Sequence, residues 1–102
     1  MIYVTERAEQ ELRRISLLFK NALWPEASMR LMDRGQGNLG IFPDIEAPGD
    51  RVLEYKGTKV LVVEHELANN LKEVTIDVDE TPEGPELVVS EKNNIISSIS
   101  KM

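Results

Sequence analysis

The sequence predicts a small, compact α+β domain: a mostly antiparallel β scaffold, one N-terminal helix packed on it, and one short helix. Three observations carry that reading. Apolar residues at Ala8, Leu12, Ile15 and Phe19 step by four, three and four, the spacing of one helical face. Two pairs of β-prone runs, 51–55 with 58–63 and 74–79 with 86–90, are each joined by a short turn containing glycine. Finally, Gly35-Gln36-Gly37-Asn38-Leu39-Gly40 gathers three of the six glycines just after the run Met29-Arg30-Leu31-Met32. Glycine tolerates positive φ and close backbone approach, so the chain turns sharply there or a partner comes near.

Met1 to Val4 is short, apolar and β-prone. Thr5 follows as an N-cap, with Glu6 in the first turn where negative charge suits the helix dipole. The helix runs from about 6 to 20, with Leu12, Ile15 and Phe19 expected to lie buried against Leu31, Val60, Val62 and Ile76, and Pro25 ends it by disfavouring helical geometry at Trp24. Residues 28–33 alternate, Met29 and Leu31 one way, Arg30 and Met32 the other, as in a strand leading into the glycine loop. Ile41-Phe42 begins a second strand that Pro43 interrupts, and 44–50 reads as a loop. The first hairpin turns at Lys56-Gly57. Glu64 to Asn70 is a short helix that Asn69-Asn70 ends. The second hairpin turns at Thr81-Pro82-Glu83-Gly84. The tail carries Ile95, Ile96, Ile99 and Met102 at helical spacing among serines, too apolar for a freely solvated end. We expect a domain over 1–93 and a tail over 94–102 that packs on it or on a second copy in a two-fold dimer.

Composition bounds the chemistry. The chain has 102 residues, enough for one core of mostly Leu, Ile and Val, since aromatics are few. Its net charge of −6, with no basic run or aromatic ladder, argues against nucleic acid. The absence of cysteine excludes disulfides, thiolate metal sites and cysteine nucleophiles within the chain. No apolar run approaches the ~20 residues of a membrane span and the N-terminus lacks a signal-peptide core, so no membrane partner and a cytoplasmic location are expected.

The order helix, strand, glycine loop, hairpin, short helix, hairpin and polar tail resembles the A-type iron–sulfur carrier family, also called HesB-like or IscA-like. Thr5-Glu6-Arg7-Ala8 is similar to that family's opening. Residues 35–40 sit where the family has Gly-Gly-Gly-Cys-Ser-Gly. Residues 50–63 resemble its aspartate, apolar strand, aromatic, glycine turn and Val-rich strand. Thr75-Ile76-Asp77, Gly84 and Leu87-Val88-Val89 resemble its later hairpin. The resemblance implies a HesB-like fold and a relation to cluster assembly. It also implies one ligand cysteine in the loop and a Cys-Gly-Cys pair in the tail. Here the loop position is Asn38 and the tail reads Asn94-Ile95-Ile96-Ser97-Ser98-Ile99. Soft iron–sulfur chemistry wants thiolates, so neither cofactor nor metal is expected.

Other candidate residues favour structural roles. Asn38 and its glycines suit a tight turn, though the loop 35–40 is also the candidate interaction surface. His65, the single histidine, lacks an orienting carboxylate on its own helical face and reads as solvated. Asp44, Glu46 and Asp50 share one loop, and Asp77 and Asp79 one strand face. Such carboxylates hold a hard cation or simply form a solvated acidic face, and no ion-binding loop pattern surrounds them. No Ser-His-Asp order or phosphate loop is present. The chain therefore reads as a non-enzymatic interaction or accessory module with a protein partner not named by its sequence. The alternative is a binder of hard metal or small ligand through the acidic loop.

Overall fold

A computed structural model describes residues 2–22, 24–35, 38–71, 73–91 and 94–99. In chain order the elements are β1 (Ile2–Val4), α1 (Glu6–Ala22), β2 (Ser28–Asp33), β3 (Leu39–Asp44), β4 (Arg51–Tyr55), β5 (Thr58–Val63), α2 (His65–Asn70), β6 (Val74–Thr81), β7 (Gly84–Glu91) and β8 (Asn94–Ile99). They make two four-stranded sheets of order β1-β6-β7-β8 and β3-β2-β5-β4. Most ladders are antiparallel; β1–β6 and β2–β5 are parallel.

Thr5 caps α1 as its sequence position demands. Its Oγ1 accepts from the Ala8 amide at 3.1 Å and donates to Asp77 Oδ1 at 2.8 Å, so the cap also ties the helix to β6. Ala8, Leu12 and Ile15 are buried and Phe19 packs beside them, against Leu31, Val60, Ile76 and Val89 from both sheets. Glu11 is also buried, and Arg14 engages both its oxygens at 2.9 and 2.6 Å. Each buried Leu, Ile or Val contributes about 1.5–3 kcal/mol, so this shared face holds the two sheets and the helix as one unit.

The second hairpin turns at the four residues expected: Thr81 pairs with Gly84 about Pro82-Glu83, with Gly84 at φ +121°. Three expectations need correction. Pro43 does not interrupt β3. The strand continues through it to Asp44, opposite Met29, because β3 is a sheet edge, where a missing N–H is tolerated. Val62 is buried, yet it does not face α1. Its register partners are Arg30 and Val52, and the β4–β5 register shift leaves Val60 unpaired. That bulge lets Val60 and Leu61, consecutive in sequence, both join the core. The tail is not helical. Residues 94–99 form β8 along the free edge of β7, with Ile99 opposite Leu87 and Ile95 opposite Ser90. Ile and Ser are modest helix formers and Ile is a good strand former, so an open ladder outweighs the apparent helical spacing. Met102 lies outside the described residues.

Candidate functional site

The glycine loop is the tip of the β2–β3 hairpin. Gly35 has φ +102°, and its amide donates to Asp33 Oδ1 at 2.7 Å. Asn38 donates its amide to the Gly35 carbonyl at 3.1 Å and accepts from the Arg34 amide at 2.6 Å through its own carbonyl. This local bonding explains why the chain turns back here. Asn38 is exposed, whereas Leu39 and Gly40 are buried and already belong to β3. Gln36 and Gly37 lie outside the described residues. The last two residues of the candidate loop therefore act as sheet.

Gly40 has a packing role. A Cβ there would come within 2.8 Å of both Arg34 Cδ and Phe42 Cε2. Without it the Arg34 guanidinium lies 5.5 Å from the centre of the Phe42 ring, a cation–π distance. Met32, Gly40 and Phe42 share this outer face through the β2–β3 register. Met32 and Phe42 are 41% and 36% exposed, so the hairpin presents an apolar surface with a cation over it.

The best-built polar cluster lies lower on the same sheet: it takes up Asp44 and Asp50 of the acidic loop, and only the arginine that pairs them was not anticipated. β3 and β4 are opposite edges, so the connection 45–50 must cross the whole sheet face. Three strand spacings are about 14 Å, within the roughly 20 Å reach of six extended residues. Arg30, near the middle of β2, stands beneath that crossing and is 9% exposed. Its Nε donates to Asp44 Oδ2 at 2.7 Å, its Nη1 and Nη2 to the two Asp50 oxygens at 3.1 and 2.5 Å, and Nη2 also to the Ile45 carbonyl at 3.0 Å. Asp50 Oδ2 further accepts from the Ala47 amide at 2.7 Å. These hydrogen bonds from Arg30, despite the burial, hold the Asp50 carboxyl below its usual range. The signal for this cluster was an arginine inside an apolar strand run, since buried charges are rare unless paired.

The remaining candidates have structural partners. Glu46 accepts from Lys59 Nζ at 2.6 Å. Asp77 holds the α1 cap and also accepts from the Val78 amide at 2.7 Å. Asp79 is exposed opposite Glu86. His65 is exposed, and its Nε2 is 3.1 Å from the Asn69 amide nitrogen. Among the described residues, no three His, Asp or Glu side chains converge as metal ligands, and no helix is long and apolar enough to cross a membrane.

The donor set does not fit an iron–sulfur cluster. The hairpin tip supplies the neutral side chain of Asn38, and Ser97 and Ser98 hold ladder positions in β8 opposite Val89 and Val88. Neither offers a thiolate.

No protein-family model matches the chain, and no curated protein matches it. Solved structures do. A crystal structure of IscA with a [2Fe–2S] cluster is similar at 19% identity and TM-score 0.57, covering 91% of this chain and 86% of that one. A crystal structure of Escherichia coli SufA, involved in the biosynthesis of iron–sulfur clusters, is similar at 18% identity and TM-score 0.61, covering 88% and 84%. The chain has the HesB-like, IscA-type α+β fold.

Proposed function

We propose that this chain is a non-enzymatic interaction or accessory module on an iron–sulfur carrier scaffold, acting through a protein partner or a second copy of itself. The observation that carries this reading is the combination of an IscA-type fold with no cysteine anywhere in the chain. The scaffold is kept while the ligands that make a carrier are absent. The β2–β3 hairpin supports it, because Met32, Phe42 and Arg34 offer an apolar and cationic surface suited to contact. A hard cation at the acidic loop gains no support, because Asp44 and Asp50 bind Arg30 and Glu46 binds Lys59.

The test compares affinity capture from cell lysate by the wild-type chain and by Phe42→Ala, with light scattering on the purified protein. Enrichment of iron–sulfur assembly proteins that weakens in Phe42→Ala supports the reading and places the contact on the hairpin. A monodisperse monomer that captures none of those proteins overturns it.

A further inference from the structure

The two sheets meet differently at their two sides. β3 and β8 lie close together at one side. At the other, β1 and β4 are both sheet edges and do not pair with each other. Between them lies an apolar cavity of about 220 Å³. Ile2 and Val4 come from β1, Leu53 from β4, Leu61 and Val63 from β5, and Ala68 from α2. Leu61, Val63 and Ala68 are core residues, so the cavity reaches inward to the hydrophobic centre.

Among the described residues, the cation that lines this space is Arg51, which is itself exposed. Arg51 opens β4 at the register position opposite Val63 and two residues before Leu53, on the side of the strand that serves the core. Its Nη2 donates to Asn69 Oδ1 at 3.1 Å, which braces the guanidinium against α2. Among the described residues no carboxylate pairs with it, although the chain carries 18 acidic side chains against 12 basic ones. A guanidinium has five donors in a fixed fork that matches a carboxylate. Apolar walls with an exposed guanidinium at their mouth suit a ligand with an aliphatic body and one anionic end.

We propose that this cavity binds aliphatic monocarboxylates, chain inward and carboxylate on Arg51. The space is finite, so the favoured chain is short and affinity levels off once the cavity is full. The binding is separate from any role of the β2–β3 hairpin and does not depend on the function proposed above.

The test is calorimetric titration of the full chain with butanoate, hexanoate, octanoate and decanoate below their micelle concentrations, with hexan-1-ol as the uncharged control. Affinity should rise about fourfold per added methylene until the cavity is full, then level off. Hexanoate should bind at least about tenfold more tightly than hexan-1-ol, and Arg51→Gln should remove that advantage. Ala68→Leu should fill the cavity and abolish binding. If either variant fails to fold, the wild-type length series and amide or methyl shifts confined to Ile2, Val4, Val63 and Ala68 still decide. Octanoate binding no tighter than butanoate, equal affinity for acid and alcohol, or shifts elsewhere would overturn the proposal.

Discussion

Arg30 shows how much one side chain can organise. Two sheet edges have to be joined across a face, and an extended connection carries backbone groups that need partners. Arg30 supplies charge-assisted bonds to both ends of that connection, Asp44 and Asp50, and one to the carbonyl of Ile45. Removing one partner of a buried pair leaves the other charged and unsatisfied, so Arg30→Ala should cost about 3–5 kcal/mol in urea unfolding. The pair also sets a pH dependence. Asp50 is held below its ordinary value of 3.8, first by the Arg30 hydrogen bonds. Its contribution is therefore complete above that value, where the unfolded carboxylate is ionised too. It is lost as the pH falls from there through the lower folded value. The stability gap between wild type and Asp50→Asn should then be wide at neutral pH and narrow toward pH 2. A gap that stays constant would mean the carboxylate is not stabilised by its neighbours. The alternation of residues 28–33 made the strand legible and put Arg30 on the face away from Leu31. It could not show that a loop crosses that face, because the crossing follows from the order of strands in the sheet rather than from local pattern.

Elements defined by their own residues were legible, and those defined by a distant edge were not. The 3.6-residue period from Ala8 to Phe19, the Thr5 cap and the Lys56-Gly57 turn are written within a few positions. Lys56 and Gly57 do adopt positive φ, at 52° and 78°, as a tight hairpin turn requires. Leu12 is fully buried at the centre of that helical face, so Leu12→Ala should lower stability by about 2–5 kcal/mol in a thermal or chemical melt. An unchanged melt would mean that the face does not carry the core. By contrast, β3 passes through Pro43 because nothing beyond its outer side needs that N–H, and β8 forms because β7 offers an unpaired ladder. Neither edge is visible in the residues concerned. The strand assignment sharpens what truncation should do. Ending the chain after Asn93 removes β8 and leaves β7 as an open edge beside Leu87 and Val89. Exposed edges invite pairing with other chains. The shortened protein should melt earlier and scatter as a larger species. Identical melting and mass would show that β8 contributes nothing to the folded state.

At the scale of the molecule, the fold and its missing donors give the sharpest expectation. A scaffold of the IscA type brings a hairpin tip and a C-terminal segment into one protein, and the family resemblance implies thiolates converging from those two places. Here the tip offers Asn38, whose amide oxygen is neutral and hard. The C-terminal segment offers Ser97 and Ser98, whose hydroxyls would have to lose protons that they hold firmly near neutral pH. Met102 supplies a thioether, also neutral, and weak beside a thiolate. Pairing two copies adds nothing, because each brings the same donors. A single Asn38→Cys substitution still leaves the C-terminal segment without sulfur ligands. The purified protein should therefore be colourless. Anaerobic incubation with ferrous iron and sulfide, followed by desalting, should leave no visible absorbance above a buffer control, and Asn38→Cys should retain far less iron and sulfide than one cluster per dimer. A brown wild-type protein with stoichiometric iron and sulfide after desalting would show that oxygen donors on this scaffold suffice. It would return the chain to the carriers whose fold it shares.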